Sequence, residues 1–246
     1  MTDLHDRLRQ WWDLDAATYD DSLSHALGDP VEAACWRAAL ARHLPAPPAS
    51  VLDVGAGTGA ISLLVAELGY EVTALDLSPE MLTRATRKAE AKRVRLRTVI
   101  GSATEPPEGP FDAVVERHLL WTTPDPVAAL AAWRTAAPRG RLVLFEGIFA
   151  RTRPLDRARD RLTHAIRSFE GTGHDHHAPY DPVVLGSLPL ANARTLEPLL
   201  NAVGAAGWSN LRVERLRDVE WARRRSAGSV LGWLEHVPRF AVLADA

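Results

Sequence analysis

A chain of 246 residues is long enough for one doubly wound α/β domain and short for two cores of ordinary size, so a single domain over 1–246 is expected. Apolar residues make up 46% and charged residues 24%, the balance of a folded globular chain, and a formal net charge of -2 provides no global field to gather nucleic acid or anionic lipid. Cys35 is the single cysteine, which excludes an internal disulfide and a cysteine-built zinc cage; with no apolar signal core at the N-terminus and no window fit for a membrane span, the expectation is a cytoplasmic protein.

Leu4, Leu8, Trp11, Trp12 and Leu14 recur at roughly helical spacing, and 31–44 repeats the pattern behind a cap at Asp29-Pro30. Residues 1–47 are therefore expected to form an N-terminal helical cap, ended by Pro45, Pro47 and Pro48. Residues 50–54 follow as a short apolar strand delivered into Gly55-Ala56-Gly57-Thr58-Gly59, with a helix over 60–68. A second buried strand spans 71–76, and Ser78-Pro79-Glu80 starts the next helix. Further strands are expected over 95–100, 111–116 and 141–146, with a helix over 125–137 closed by Pro138-Arg139-Gly140. Strict alternation implies right-handed crossovers and a parallel sheet covered on both faces.

The tail breaks that order. Segments 210–219 and 239–243 are both strand-like, and the stretch between them is too polar and arginine-rich to read as a crossover helix, which predicts an antiparallel last strand. The expected fold class is α/β: a doubly wound, Rossmann-like sheet of seven mostly parallel strands with an antiparallel last strand, N-terminal helices and a lid insertion between strands 5 and 6. The insertion, 150–209, holds an amphipathic helix over 155–169 and the cluster His174-Asp175-His176-His177, and is expected on the substrate side, over the carboxyl ends of the strands. Most of the tryptophans fall on helical apolar faces and are expected in the core.

Glycines at alternate positions in a parallel-sheet turn let the backbone pass close to a ligand, with the positive end of the next helix facing it. Asp76 ends the second strand where a ribose would present its 2′ and 3′ hydroxyls, and it would repel a 2′-phosphate. Asp53, just before the turn, suits an ammonium or ordered water better than a pyrophosphate. Ala60 stands where a dinucleotide fingerprint needs its third glycine. These features count against an NAD-dependent oxidoreductase, the alternative enzyme class for such a sheet.

The stretch VLDVGAGTGAISLLVAELGYEVTALDLSPEML resembles the motif I to motif II region of class I S-adenosylmethionine (SAM)-dependent methyltransferases. Phe111-Asp112-Ala113-Val114-Val115 through His118-Leu119-Leu120-Trp121, and the turn Pro138-Arg139-Gly140-Arg141-Leu142, are similar to the family's fourth strand and the turn before its fifth. Residues 192–208 resemble the helix before its sixth strand. Trp12, Ala17-Thr18-Tyr19-Asp20, Asp29-Pro30 and Trp36 resemble the N-terminal helices of the bacterial small-molecule subgroup. The resemblance implies SAM as cofactor. Gly55, Ala56 and Gly57 would approach its methionine portion, Tyr19 would cover the methionine end, and Asp53 would stand beside it. Asp76 would hold the ribose, and Leu77 and Met81 would pack on adenine. Ser102-Ala103 replaces the family's frequent Asp-Ala, so the adenine amine is expected to meet the Ser102 hydroxyl or the Ala103 backbone.

Methyl transfer from a sulfonium is an in-line displacement, so alignment and water exclusion supply most of the catalysis, and a base is needed only when the acceptor arrives protonated. His118, directly after the fourth strand, is the candidate base; a loop histidine held by hydrogen bonds is the competing reading. Glu116 and Glu146 end the fourth and fifth strands at the same edge, placed for a cofactor-shell water or an acceptor amine. His25 and Trp121 are candidate substrate contacts, with ordinary packing as the alternative. Adjacent residues such as 174–177 rarely converge on one ion, so no metal is expected, and Arg223-Arg224-Arg225 reads as a solvated face. The expected function is SAM-dependent methyl transfer to an O, N or C atom of a small metabolite, for example in natural-product biosynthesis. A non-catalytic SAM-binding module is the further alternative. The acceptor atom and a homodimer stay open.

Overall fold

Alternate residues of each central strand point to opposite faces, and here both faces are apolar. Seven strands form one sheet: β1 (Ser50–Val54), β2 (Glu71–Asp76), β3 (Arg97–Ile100), β4 (Ala113–Arg117), β5 (Arg141–Gly147), β6 (Ser209–Arg215) and β7 (Arg239–Asp245), in the order β3-β2-β1-β4-β5-β7-β6. Strands β1 to β5 pair in parallel, and β7 runs antiparallel between β5 and β6. The computed structural model describes residues 2–21, 23–148, 159, 161–163, 166, 185–226, 231–234 and 237–246. The cluster 174–177 and most of the helix expected over 155–169 lie outside the described residues.

Helices cover both faces. They are α1 (Thr2–Asp15), α2 (Leu23–Ala26), α3 (Pro30–His43), α4 (Ala60–Glu67), α5 (Pro79–Lys92), α6 (Pro126–Ala136), α7 (Glu197–Ala205), α8 (Arg217–Ser226) and α9 (Leu231–Leu234). Three begin with proline in the first turn behind a side-chain cap: Asp29 accepts from the Val31 and Glu32 amides, Ser78 from Met81, and Asp125 from Ala128. Each such cap contributes about 1 kcal/mol. On one face Leu52, Val54, Val114, Leu142 and Leu144 pack against Leu130 and Trp133 of α6 and Leu199 and Val203 of α7. On the other, Val51, Ala113, Val115, Val143 and Phe145 meet Trp36 and Leu40 of α3 and Ile61 and Leu64 of α4. Full burial of one such large side chain is worth roughly 1.5–3 kcal/mol.

Two expectations are corrected. The strand expected over 210–219 stops at Arg215, and the arginine-rich stretch is the helix α8. Its charge hides a narrow buried stripe of Val219, Glu220 and Ala222, and two of its arginines are docked on α3: Arg223 Nη1 lies 3.7 Å from Glu32 and Arg225 Nη2 lies 3.2 Å from Asp29. Of the tryptophans, Trp36, Trp133 and Trp208 are core, whereas Trp11, Trp12 and Trp121 are half-buried and Trp221 is exposed. The reason at Trp12 and Trp121 is that each faces a cavity. That cavity system follows from topology: strand order reverses between β1 and β4, so their carboxyl ends part and leave a crevice.

Candidate active site

The turn after β1 lies at the mouth of this crevice. Gly55 and Gly57 have φ of 68° and 56°, in the left-handed region that glycine adopts without penalty. A Cβ on Gly55 would stand 2.7 Å from Leu119 Cδ1, and one on Gly57 would stand 3.9 Å from the Tyr19 ring. The Gly57 amide donates to Asp76 Oδ2 at 2.7 Å and the Ser78 amide to Oδ1 at 2.9 Å. Asp76 is thereby fixed between the turn and α5, with the Leu77 backbone N–H also acting on it, and the carboxylate keeps capacity for a further donor. Burial pushes its pKa up to about 6, against the pull of those backbone N–H groups.

Asp76 borders a cavity of about 290 Å³ that continues past Leu77 and Met81 to Gly101, Ser102 and Ala103. Helix α1 contributes Leu4, Leu8 and Trp12 to its wall. Trp133 Nε1 donates to the Ala103 carbonyl at 2.7 Å, and Ser102 Oγ bonds Thr104 Oγ1 at 2.9 Å, which holds this edge in place. Tyr19 also lines the cavity, and its segment is latched to the turn. Asp20 accepts from Thr58 Oγ1 at 2.7 Å and pairs with Lys88 at 2.6 Å. The Tyr19 ring stacks on His25 with centroids 4.0 Å apart, and burial pushes its hydroxyl up to about 12, so it stays protonated. A carboxylate with open lone pairs, a turn without side chains and an apolar slot ending in backbone suit a nucleoside with a cationic tail.

Three of the residues expected at a cofactor do not line this cavity. Asp53 is 1% exposed, accepts from Ser62 Oγ, and borders a small recess with Tyr19 and Arg117; burial pushes its pKa up to about 7. Ala56 shares that recess. Glu116 is fully buried: Oε2 accepts the Leu119 amide at 2.8 Å, and Oε1 has no hydrogen-bond partner among the described residues.

A second cavity of about 330 Å³ shares Trp12, Tyr19, Arg117 and His118 with the first. His25, Trp121, Glu146 and Arg239 complete its polar and aromatic wall, and Leu190, Leu196 and Leu199 its apolar one. His118, with φ of 61°, places Nδ1 3.4 Å from Glu146 Oε2 and Nε2 2.7 Å from Arg239 Nη1. A guanidinium only donates, so Nε2 accepts and the ring proton lies on Nδ1, toward Glu146. Burial first, then the Arg239 and Arg117 cations, hold the imidazole well below its ordinary pKa and keep it neutral. Burial likewise pushes Glu146 up to about 8, and Glu116 well above the carboxylate range with the neighbouring Glu146 reinforcing it.

The structure thus brings Tyr19, Gly55, Gly57, Asp76, Leu77, Met81, Ser102 and Ala103 to one cavity, and His25, Trp121 and Glu146 to the next, with His118 between. Sequence reasoning misses Arg117 and Arg239. Arg117 ends β4 beside His118, a position that by itself signals the ligand edge of the sheet. Arg239 has no such signal, since it opens the antiparallel β7 and meets His118 across 121 residues of chain.

Residues 51–140 match the family model described as a methyltransferase domain. The ubiquinone biosynthesis O-methyltransferase of Xanthomonas campestris pv. campestris (strain B100) is 38% identical over 140 residues, which are 55% of this chain and 55% of that protein. The demethylmenaquinone methyltransferase of Deinococcus radiodurans is 37% identical over 131 residues, 51% of this chain and 54% of the relative. The chain spans about half the length of these curated relatives. In fold it resembles Haemonchus contortus phosphoethanolamine N-methyltransferase 2, solved with phosphomonomethylethanolamine and S-adenosylhomocysteine. That likeness covers 98% of this chain and 60% of the other, with a TM-score of 0.63 at 16% identity. The matched segment carries the glycine turn, Asp76, the 101–103 edge and His118, and it sits in the mixed seven-stranded sheet described above: residues 51–140 are similar to a methyltransferase domain.

Proposed function

We propose that the protein is an enzyme that transfers a methyl group from SAM to an O, N or C atom of a small metabolite, with S-adenosylhomocysteine as co-product. The observation that carries this reading is the wall of Trp12, Tyr19, Arg117 and His118 common to two cavities, one shaped for the cofactor and one for an acceptor. Bound SAM supplies a methyl carbon made electrophilic by its sulfonium.

The chain's own residues bind, orient and exclude water. In this reading Asp76 accepts the ribose hydroxyls, Gly55 and Gly57 leave room for the methionine portion, and Tyr19 covers its end. Leu77 and Met81 hold adenine, with its edge at Ser102 and Ala103. Asp53, Ala56 and Glu116 are buried and act one layer behind, backing the turn and the end of β4. Trp121, His25 and Glu146 wall the acceptor, and His118 takes the proton of a hydroxyl acceptor once Arg239 releases Nε2. Residues 1–246 serve as one domain, with 1–47 as its cap and 150–209 as the substrate-side insertion. Leu4, Leu8 and Trp12 on the first cavity and Leu190, Leu196 and Leu199 on the second support that division.

A volume of about 330 Å³ suits a metabolite rather than a polymer, and the net charge of -2 gives nucleic acid no foothold. The ubiquinone biosynthesis relative, named an O-methyltransferase, favours oxygen as the accepting atom. Calorimetry with SAM, S-adenosylhomocysteine and NAD tests the cofactor, and mass spectrometry of products over phenols, amines and carboxylic acids tests the chemistry. SAM binding with turnover of a panel member is the expected result. Binding of NAD without SAM would instead identify an oxidoreductase, and tight SAM binding without any product a non-catalytic module.

A further inference from the structure

Taking the second cavity as the acceptor chamber, the reading on which this inference rests, we propose that the acceptor carries a carboxylate seated on the Arg239 guanidinium and a flat apolar body against Trp12, Trp121 and Leu199. Arg239 is 7% exposed and lines the chamber. Among the described residues its guanidinium has one hydrogen-bond partner, the neutral ring of His118 at 2.7 Å, which leaves most of its five N–H donors unused. A buried cation without an anion is costly, and a planar carboxylate matches the guanidinium fork in two parallel hydrogen bonds.

The acids around Arg239 are already committed to other groups. Glu220 takes the Arg239 backbone N–H at 3.0 Å, while both of its oxygens accept from Arg215 at 2.9 and 3.1 Å. Glu32 faces Arg223 at 3.7 Å, and Glu146 faces His118 and the buried Glu116. Arg117, the second cation on the chamber wall, donates to the His25 carbonyl at 3.2 Å and lies 5.5 Å over the Trp36 ring. Burial, then Arg223 and Arg117, lower the Arg239 pKa to about 10; the opposing effects of Glu32 and Glu220 are smaller, and the group stays charged at neutrality. An amine in this chamber would meet two guanidiniums, and an uncharged molecule would leave Arg239 without its counter-charge.

The test titrates 4-hydroxyphenylacetate, 4-hydroxyphenylacetamide and tyramine into protein saturated with S-adenosylhomocysteine. The acid should bind roughly tenfold to a hundredfold tighter than the amide, the range of one charge-assisted hydrogen bond, with tyramine weakest. Arg239→Gln should abolish the preference and Arg239→Lys retain part of it, both with unchanged affinity for S-adenosylhomocysteine, because Arg239 is not on the first cavity. Should a variant fail to fold, the wild-type order of the three probes decides. If S-adenosylhomocysteine binds but the amide or tyramine binds as tightly as the acid, or none of the three binds at millimolar concentration, the carboxylate assignment is overturned. If S-adenosylhomocysteine itself does not bind, the functional reading fails and this inference falls with it.

Discussion

Arg239 Nη1 lies 2.7 Å from His118 Nε2, so a guanidinium occupies the lone pair that a proton acceptor would use. The histidine and the anion site are therefore coupled. Burial, then the Arg239 and Arg117 cations, hold the His118 pKa well below its ordinary value, and an anionic ligand acts on the second of these. A carboxylate on Arg239 offsets its charge, so 4-hydroxyphenylacetate should raise the His118 pKa and make the ring a better base. Histidine-selective NMR titration measures this directly. Arg239→Gln should raise the same pKa without ligand and remove the response to ligand; an unmoved resonance in both experiments would mean the two groups do not communicate.

Protein stability should fall as pH rises from about 6.5 to about 8 in the absence of cofactor. Asp53 and Glu146 have folded pKa values of about 7 and about 8, raised by burial, so the folded chain holds protons that the unfolded chain has already released. Their contribution is fully present below the ordinary carboxylate range and is lost as pH climbs through the folded values. His118 has the opposite sign: its depressed pKa means the unfolded chain binds the extra proton, so its contribution is lost as pH drops below 6.5. The two effects oppose each other in acid, but only the carboxyls act above 6.5. Urea unfolding at pH 6.5 and 8 checks the direction, and Glu146→Gln should flatten the decline.

The parallel strands and the pairing of the glycine turn with Asp76 are legible in sequence for one physical reason: each depends on short-range spacing. β1, β2 and β5 are apolar runs closed by glycine or a cap, β4 is an apolar run set off by Pro110 before it, and Gly57 reaches Asp76 across a single helix and strand. The second cavity depends on long-range placement. Arg117 and Arg239 have the composition of surface residues, and only the threading of β7 between β5 and β6 brings the second to His118. Helix α8 escapes detection because its buried stripe includes Glu220, an acid made tolerable inside by Arg215. Asp53 and Glu116 are buried and do not line the first cavity, since strand-end position does not say whether a side chain faces the crevice or the layer behind it.

Asp76 supplies the clearest pH signature of cofactor binding. An ionised carboxylate accepts two ribose hydroxyls, whereas its protonated form competes as a donor, and its folded pKa without ligand is about 6. SAM affinity should therefore weaken as pH falls through that value, while Asp76→Asn should bind weakly at every pH. Asp76→Ala removes hydrogen bonds to a charged acceptor worth roughly 1.5–3 kcal/mol each, a loss on the order of a hundredfold or more in affinity. Calorimetric titration between about pH 5 and about pH 8, roughly one unit below and two above the folded Asp76 value, covers the transition. Wild-type affinity in the alanine variant would remove the ribose assignment.

Gly55 and Gly57 should separate stability from binding, although both have left-handed φ. Alanine at either costs about 1–2 kcal/mol for that conformation. At Gly55 the new methyl would also stand 2.7 Å from Leu119 Cδ1 and 2.9 Å from its Cγ and Cδ2, so the whole branched end of that side chain must shift. Overpacking of this kind adds about 1–3 kcal/mol. At Gly57 the nearest atom to the methyl is Tyr19 Cε1 at 3.9 Å, so the protein accommodates it, but on the wall of the cofactor cavity. Gly55→Ala should therefore unfold at clearly lower urea than Gly57→Ala, while Gly57→Ala, though nearly as stable as its backbone cost permits, should lose SAM affinity. A Gly57→Ala protein that binds SAM as the wild type does would show that the cofactor passes elsewhere, because no ligand seated on that turn could ignore a methyl group placed between it and Tyr19.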